Sequence, residues 1–347
     1  PETLSVHFER AGQLDRAALY AEQAAERASK ALAFDRAARL NRIALEFPIG
    51  EEGAYRALQI KLGHSLENAG RGAEAAAAFL AAADGAEVVV TDLRSLQELA
   101  DALAQLPAGI EVHAGAHPAA CLDGVELVVC SPGVAPEAEI LTEARRRRLN
   151  IVTEVEFGWR HRSDAPLVAV TGSNGKSTVT TLIARMLGEA GFKAVAGGNL
   201  GTAASELVLS GGWDRWVLEI SSFQSELLTR MAPTVAVFLN LSQDHLERHV
   251  DFDAYLAAKR CLFAFQSASD TAVLNADDPA SKGTETVARR RLFSLEGSAD
   301  AWWDGGRLML DGAVLLESDQ LKLSGTHNLA NVLAAALAAV ALGAPPE

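Results

Sequence analysis

A glycine-rich turn between an apolar strand and a helix constrains the fold of this chain more than any other feature. Residues 167–170 read LVAV, residues 171–178 read TGSNGKST, and a helix is predicted from about residue 176 to residue 190. Glycines let backbone N–H groups crowd around phosphate oxygens, and the N-terminus of the helix adds favourable partial charge. The order of strand, turn, Gly-Lys-Ser and helix predicts a phosphate-binding loop (P-loop) in an α/β fold.

The residue types in this turn suit a nucleotide. Lys176 would reach the β- and γ-phosphates, and the Ser177 hydroxyl would bind Mg²⁺. The spacing departs from the standard pattern, because Gly172 stands only three positions before Gly175 and Val170 occupies the usual first-glycine position. A glycine-rich turn with a surface lysine is the alternative, which the complete strand–loop–helix order disfavours. We expect the ATP phosphates to contact Thr171, Gly172, Ser173, Asn174, Gly175, Lys176, Ser177 and Thr178.

Composition excludes several other classes of protein. A length of 347 residues predicts two or three domains, and 49% hydrophobic residues suffice for several packed cores. The net charge of −14 argues against a nonspecific nucleic-acid binder. Neither an apolar run of roughly 18 residues nor a secretory signal is evident, so we expect a cytoplasmic protein without a membrane partner. Three widely spaced cysteines predict reduced thiols.

Residues 1–83 are predicted to form an all-α helical-repeat segment, because they are rich in Ala, Leu, Glu and Arg. A degenerate pattern recurs at residues 11–18, 31–38 and 69–76, and the last two copies start 38 residues apart. That period is near the length of helix-pair repeats, and the segment resembles tetratricopeptide-type repeats. Two interpretations of this segment remain: it binds a protein partner, or it is a helical stack without any ligand.

Residues 84–165 are predicted to form a partial Rossmann-like domain. Apolar strands are expected at residues 87–91, 125–130 and 151–153, and the helical stretches between them indicate a parallel sheet. The strand and glycine turn that would open such a domain do not precede Gly85. We therefore expect a junction at residues 83–85, where a helical module replaces the first βα unit.

Residues 166–347 alternate strands and helices regularly, which predicts a doubly wound, mostly parallel sheet. Polar residues follow several of its strands, and in such sheets the strand ends line the ligand crevice. Asn199, Glu219 and His245 stand at such positions, and Lys259 lies in an otherwise apolar-faced helix.

Several motifs, taken together and in this order, resemble the Mur ligase family, and most closely its D-glutamate-adding members. TGSNGKST is similar to that family's shortened phosphate loop. The resemblance runs from about residue 85 to residue 347 and is carried by SPGVAP at 131–136, GGNLG at 197–201, EISSFQSE at 219–226, NLSQDHLERH at 240–249, AAKRCLF at 257–263, NADD at 275–278 and THNLANVLAA at 326–335.

The resemblance implies an ATP-dependent amide ligase that acts through an acyl phosphate in peptidoglycan precursor synthesis. Its substrates would be UDP-N-acetylmuramoyl-L-alanine and D-glutamate, and its cofactors ATP and two Mg²⁺ ions. Ser177 and Glu219 would bind the first Mg²⁺, and His245 the second. Lys259 would be carboxylated to a metal-binding carbamate. The implied catalytic residues are Lys176, Lys259, His245 and Glu219.

The same resemblance implies the remaining contacts. Asn328 and Asn331 would lie near adenine, although an asparagine there could also cap a helix. Leu93 stands where the family has threonine beside the residue matched by Asp92. The substrate contacts would come from Asp92, Ser131, Pro132, Gly133 and Asn199.

Two departures from the family lead to further expectations. We expect the first strand with its glycine turn and the C-terminal amino-acid-binding domain to be missing, and hence a truncated, N-terminally fused and poorly active ligase. A helical-repeat interaction protein with an inactive ligase remnant is the alternative. A folate polyglutamate-adding enzyme is disfavoured by EISSFQ at 219–224. NADDP at 275–279 suits a plain turn and receives no catalytic role.

Overall fold

The computed structural model describes residues 19–21, 23–24, 73–99, 103, 106, 109–131, 134–135, 137–242, 251–321, 323 and 325–346. The chain divides into two compact units. The first comprises Pro1–Arg71 with Asn199–Gly201, and the second comprises Gly72–Gly198 with Thr202–Glu347. In the first unit, residues 19–21, 23 and 24 are helical. The rest of the predicted helical-repeat segment up to residue 72 lies outside the described residues, and a protein partner for it remains a prediction.

Helix α1 (Ala73–Ala83) packs inside the second unit. Its Ala77 and Leu80 are buried in a cluster with Val152 and Phe157. The sequence pattern predicts this helix at the end of the repeat segment, with the junction at residues 83–85. The structure groups this helix with the residues from Gly72 onward, and an alanine-rich helix carries the same local signal whichever core it packs against.

Two small parallel sheets follow α1. Strand β1 (Val89–Asp92) pairs with β2 (Glu111–Ala114), and β3 (Leu127–Cys130) pairs with β4 (Asn150–Thr153). Strand β2 was not predicted, because its sequence EVHA lacks an apolar run. Helix α2 (Glu139–Arg146) connects β3 to β4, and helix α3 (Glu154–His161) leads into the larger sheet.

A nine-stranded sheet forms the centre of the second unit. Its strands lie in the order β13-β12-β11-β10-β9-β8-β5-β7-β6. Pairs from β6 across to β11 are parallel, and only β11–β12 and β12–β13 are antiparallel, which confirms the predicted mostly parallel sheet. The strands are β5 (Leu167–Thr171), β6 (Ala194–Gly198), β7 (Arg215–Glu219), β8 (Val235–Phe238), β9 (Thr271–Asn275), β10 (Arg289–Ser294), β11 (Ala301–Trp303), β12 (Arg307–Leu310) and β13 (Ala313–Glu317).

Helices cover both faces of this sheet, and accordingly β5 has apolar side chains on both of its faces. Val168 and Val170 belong to one buried cluster, whereas Leu167 and Ala169 belong to the other, as the two-residue period of a strand requires. The helices are α4 (Lys176–Glu189), α5 (Ala204–Ser210), α6 (Ser222–Ser225), α7 (Phe252–Arg260), α8 (Pro279–Lys282) and α9 (Thr326–Ala341).

Helix α9 packs beside α4 on one face of the sheet. Its alanines, buried from residue 334 to residue 336, allow the two helices to approach closely. Within the described part of the chain, none of the helices combines the length and apolar character needed to cross a bilayer.

Candidate functional site

The loop at residues 172–175 connects β5 to α4 at the carboxyl end of the sheet. Gly175, with a φ of +86°, is the N-cap residue of α4 and has no side chain that could cap the first helical turn. The N–H groups of that turn can therefore face an anion. The Lys176 side chain follows directly, and its Nζ donates a 3.2 Å hydrogen bond to the Ser173 carbonyl.

Ser177 and Glu219 are brought together beside this loop. The Ser177 hydroxyl donates a 2.6 Å hydrogen bond to Oε2 of Glu219. Glu219 is the last residue of β7 and only 1% exposed, and its register partner in β5 is Val170. Hydroxyl and carboxylate oxygens are ligands that Mg²⁺ accepts, so these two side chains fit the predicted ion.

Lys259 lies on the other side of the loop, on helix α7. It is 1% exposed, and its Nζ donates a 2.8 Å hydrogen bond to the Gly172 carbonyl. The same nitrogen lies 4.6 Å from the centre of the Tyr255 ring. The Tyr255 hydroxyl lies 3.1 Å from Ser173 Oγ, so one face of α7 contacts the loop at two places.

His245, the predicted ligand of a second Mg²⁺, lies outside the described residues. Among the residues that are described, no group of three or more His, Cys, Asp or Glu side chains forms a metal cluster. Mg²⁺ is commonly held by one or two carboxylates together with substrate phosphates. The Ser177–Glu219 pair has the oxygen ligands that the protein's share of such a site requires, and its role as a metal site remains a prediction.

The segment after β8 supports the loop through main-chain contacts that were not predicted from the sequence. The Asn240 side chain makes two hydrogen bonds to Asn174, accepting from its N–H at 2.9 Å and donating to its carbonyl at 3.1 Å. Ser242 N–H donates to Ser173 Oγ at 3.0 Å. The sequence does contain a signal that could have identified Asn240, because this polar residue directly follows the apolar strand sequence VAVFL.

Asn331 on α9 contacts the loop at its last glycine. A Cβ added to Gly175 would lie 2.5 Å from Asn331 Oδ1, so the amide oxygen lies against the loop backbone. Asn331 is buried, and its Nδ2 donates to Oδ1 of Asn328 at 3.1 Å. The two asparagines therefore lie together, and their contact with adenine remains a prediction.

The predicted substrate contacts fall in other parts of the structure. Asp92 ends β1, and its carboxylate accepts hydrogen bonds from the backbone N–H and guanidinium of Arg94. The Arg94 side chain thereby lowers the pKa of Asp92. Ser131 follows β3, and its carbonyl accepts from Val134 N–H in a turn. Pro132 and Gly133 lie outside the described residues, and Asn199 belongs to the segment grouped with the first unit.

Fold and site together define a mostly parallel α/β protein whose strand ends carry a glycine-lined polar site. Two family models match the chain: the Mur ligase middle domain over residues 170–339, and the Mur ligase MurD-like N-terminal domain over residues 69–153. The chain belongs to the Mur ligase family. The N-terminal match begins before α1, in agreement with the packing of that helix in the α/β unit.

Curated relatives support the same conclusion. The chain is 42% identical over 288 residues to the UDP-N-acetylmuramoylalanine–D-glutamate ligase of Anaeromyxobacter dehalogenans, which covers 78% of this chain and 62% of that protein. It is 37% identical over 281 residues to the enzyme of the same name from Geobacter metallireducens, covering 78% and 61%. The chain thus spans about three fifths of the length of these relatives.

Solved structures agree in fold. The UDP-N-acetylmuramate:L-alanyl-γ-D-glutamyl-meso-diaminopimelate ligase of Neisseria meningitides matches with a TM-score of 0.52 and 18% identity, covering 79% of this chain and 91% of that one. A murein peptide ligase from Psychrobacter arcticus matches with a TM-score of 0.51 and 20% identity, covering 79% and 64%.

Proposed function

We propose that this chain binds Mg-ATP at residues 171–178 and activates a carboxylate in a reaction of the UDP-N-acetylmuramoylalanine–D-glutamate ligase type. The observation that carries the proposal is the 2.6 Å contact between Ser177 and Glu219 beside a glycine loop that ends in Lys176. The names of relatives that are 42% and 37% identical supply the substrates, UDP-N-acetylmuramoyl-L-alanine and D-glutamate.

The loop would hold the triphosphate through its backbone N–H groups, and Lys176 would add a fixed positive charge. The Lys176 ammonium has three N–H donors, of which one is directed at the Ser173 carbonyl, so others are available for a phosphate. Ser177 and Glu219 would hold one Mg²⁺, and His245 is proposed for a second. A bound Mg²⁺ screens the repulsion between an anionic nucleophile and the triphosphate.

In this reaction, a carboxylate oxygen of the alanyl substrate forms a bond to the γ-phosphorus, and ADP leaves with the electrons of the broken P–O bond. The D-glutamate nitrogen then attacks the carbonyl carbon of the acyl phosphate. The C–O bond to phosphate breaks, the nitrogen loses a proton, and the amide and inorganic phosphate are released. The protein's share is to position the reactants and to stabilise charge on the transferring group.

Lys259 is proposed to carry a carboxyl group during catalysis. Addition of CO₂ to the neutral amine, with loss of a proton, would convert a cationic site under the loop into an anionic one. In the unmodified protein, the amine instead contacts the Gly172 carbonyl and the Tyr255 ring, two contacts that suit a cation. Carboxylation would remove the positive charge and leave one N–H that could still donate to the Gly172 carbonyl, so bicarbonate should change the environment of the loop.

The substrate and adenine contacts belong to the same proposal. Asn328 and Asn331 are proposed for the adenine side. Asp92, Ser131, Pro132, Gly133 and Asn199 are proposed for the UDP-linked substrate.

Calorimetry with Mg-ATP tests the nucleotide site. Lys176→Ala should bind at least about tenfold more weakly than the wild type, because a charged hydrogen-bond donor to phosphate is lost. Lys193→Ala is the matched control, since Lys193 is exposed beyond the opposite end of α4. Equal affinity of wild type and Lys176→Ala would rule out this site.

Trapping of the acyl phosphate tests the chemistry. With Mg-ATP, UDP-N-acetylmuramoyl-L-alanine and hydroxylamine, we expect ADP and a hydroxamate of the substrate, detected by mass spectrometry. Replacing hydroxylamine with D-glutamate should give the amide only slowly, as expected of a poorly active ligase, and L-glutamate should give none. ATP binding without any substrate-dependent ADP would overturn the activation step and favour an inactive ligase remnant.

A further inference from the structure

The segment NADD at residues 275–278, for which no catalytic role was predicted, contacts the backbone on both sides of Asn240. Asn275 Nδ2 donates a 2.9 Å hydrogen bond to the Leu239 carbonyl. The Leu241 N–H donates a 3.0 Å hydrogen bond to Oδ2 of Asp278. The peptide groups before and after Asn240 are thus each held by a side chain from this segment.

Asn240 in turn holds the loop at Asn174. Its Oδ1 accepts from the Asn174 N–H at 2.9 Å, and its Nδ2 donates to the Asn174 carbonyl at 3.1 Å. The backbone partners fix the orientation of the amide, because only the oxygen can accept from an N–H group. One side chain therefore satisfies both polar groups of a residue in the middle of the loop.

We propose that Asn240 is a positioning residue for the phosphate loop, and that Asn275 and Asp278 position Asn240. The segment at residues 275–278 would then control the conformation of residues 172–175. The consequence for nucleotide affinity rests on the proposed Mg-ATP site, whereas the consequence for loop order does not.

The loop needs such support because of its own composition. Gly172 and Gly175 both have positive φ angles, +153° and +86°, and glycine loses more conformational freedom on ordering than any other residue. A site that stabilises charge acts through donors that are fixed before the ligand arrives. The Asn240 side chain makes two hydrogen bonds to Asn174, and the Asn240 carbonyl accepts from the Ser173 N–H at 2.9 Å, so Asn240 holds both residues between these glycines.

Asp277 offers a matched control within the same segment. Its carboxylate accepts from Ser294 Oγ at 2.5 Å and from the Leu295 N–H at 2.6 Å, so it holds the end of β10. Asp277 and Asp278 are adjacent carboxylates of the same chemistry. Of the two, Asp278 is the one that contacts the backbone next to Asn240.

The Asp278 carboxylate both caps α8 and contacts Leu241, and the substitution Asp278→Asn is designed to remove only the contact with Leu241. Oδ1 of Asp278 accepts from Ser281 N–H and caps α8, while Oδ2 accepts from Leu241 N–H. Asparagine caps helices as well as aspartate does, so α8 should be retained. Its amino group would then face the Leu241 N–H, and that single link would be lost.

The experiment uses the full chain in five forms: wild type, Asn240→Ala, Asp278→Asn, Asp277→Asn and the double variant that combines Asn240→Ala with Asp278→Asn. Hydrogen exchange at the amides of residues 172–176 is measured without nucleotide, and Mg-ATP affinity is measured by calorimetry. We expect faster exchange and about tenfold weaker binding for Asn240→Ala and Asp278→Asn, and wild-type values for Asp277→Asn. The double variant should bind no more weakly than Asn240→Ala alone, because both changes break one pathway.

Wild-type exchange at residues 172–176 in Asn240→Ala would overturn the proposal, as would equal loosening of the loop by Asp277→Asn. If Asn240→Ala does not fold, Asn240→Asp replaces it, since the carboxylate keeps the acceptor for Asn174 N–H and loses only the donor. Faster exchange in a chain whose wild type binds no ATP would support the positioning role and contradict the proposed nucleotide site.

Discussion

Asn331 Oδ1 lies against the backbone of Gly175, so that a Cβ at residue 175 would come within 2.5 Å of it. Helix α9 thereby contacts the start of α4, and a Cβ at residue 175 would force the Asn331 amide to shift. Gly175 is also held at a φ of +86°. The loop thus demands glycine for two separate reasons, conformation and space.

Gly175→Ala should therefore destabilise the protein more than a change at a glycine with open surroundings. Gly191, with a φ of +91° and no atom within 4 Å of the position that a Cβ would take, is the matched control. We expect Gly191→Ala to lower the free energy of unfolding by about 1 kcal/mol, the cost of a left-handed conformation. Urea denaturation should show a larger loss for Gly175→Ala, and Asn331→Ala should restore part of it. A loss no greater than that of Gly191→Ala would contradict the packing.

Ser177 and Glu219 should act as one unit in Mg²⁺ binding. We expect Ser177→Ala and Glu219→Gln each to weaken Mg-ATP binding about tenfold. ATP affinity in excess chelator should change little, because the pair contacts the nucleotide through the ion. Thr181→Ala is the control on the same helix, since the Thr181 hydroxyl donates to the Ser177 carbonyl within the helix. Calorimetry with and without Mg²⁺ measures the difference, and additive losses in the double variant would show that the two residues act independently.

Glu156 should be important for stability because its carboxylate is buried and accepts several hydrogen bonds. The donors are Arg160, the Thr229 N–H and the Thr229 hydroxyl. Glu156→Gln replaces an acceptor by a donor facing these groups, and we expect a loss of about 3 kcal/mol in the free energy of unfolding. Denaturant titration monitored by tryptophan fluorescence measures this loss.

Glu143→Gln serves as the contrast. Arg146 and Arg147 lower the pKa of Glu143 to about 2, but the group is at the surface, where ion pairs contribute little. Because the pKa of Glu143 is lowered in the folded protein, its contribution to the free energy of unfolding is present above the pKa of the unfolded chain. The contribution disappears as pH falls towards 2. At neutral pH we expect the denaturation midpoint of Glu143→Gln to equal that of the wild type. A shift as large as that of Glu156→Gln would contradict the role of burial.

The thiols should react slowly. Burial raises the pKa of Cys261, and the charge of Glu226 adds to the effect. Burial also raises the pKa of Cys121. Because the thiolate is the reactive form, alkylation by iodoacetamide should be slower than in the denatured chain and should accelerate as pH rises past the ordinary value of about 8.5. A raised thiol pKa also affects the free energy of unfolding. This free energy is retained below the pKa that the thiol has in the unfolded chain, and it declines as pH rises above that value. Mass spectrometry of each cysteine peptide measures the rates, and alkylation at pH 7 as fast as in the denatured chain would contradict the prediction.

The parts of the structure that could be predicted from the sequence are those whose signals are local. LVAV followed by TGSNGKST specified β5, the loop and α4, because strand apolarity and glycine spacing act over a few residues. The position of Glu219 at a strand end was predictable for the same reason, and its role remains a prediction. Asn240 was missed although it stands in the same kind of position, since its role depends on a hydrogen-bonding partner 66 residues earlier.

The core to which an element belongs is hard to predict where several environments share one local signal. Helix α1 was recognised as a helix, but nothing in AEAAAAFLAAA distinguishes a repeat from the flank of an α/β sheet. Strand β2 was missed because pairing with β1 stabilises it more than its own composition does. Sequence patterns report local preference, whereas membership of a core is decided by distant residues.

The order of strands in the central sheet has a consequence for how the chain matures. Strand β5 pairs with β7 and β8, so both of its neighbours in the sheet are synthesised after it. Gly172 receives the Lys259 amine from 87 residues downstream, and Asn331 is made later still. Contacts so distant in sequence slow folding, because the chain must close long loops before they form. During translation, the loop after β5 would lack these supporting contacts until α9 has been synthesised. A nucleotide could therefore stabilise the folded domain only after that point.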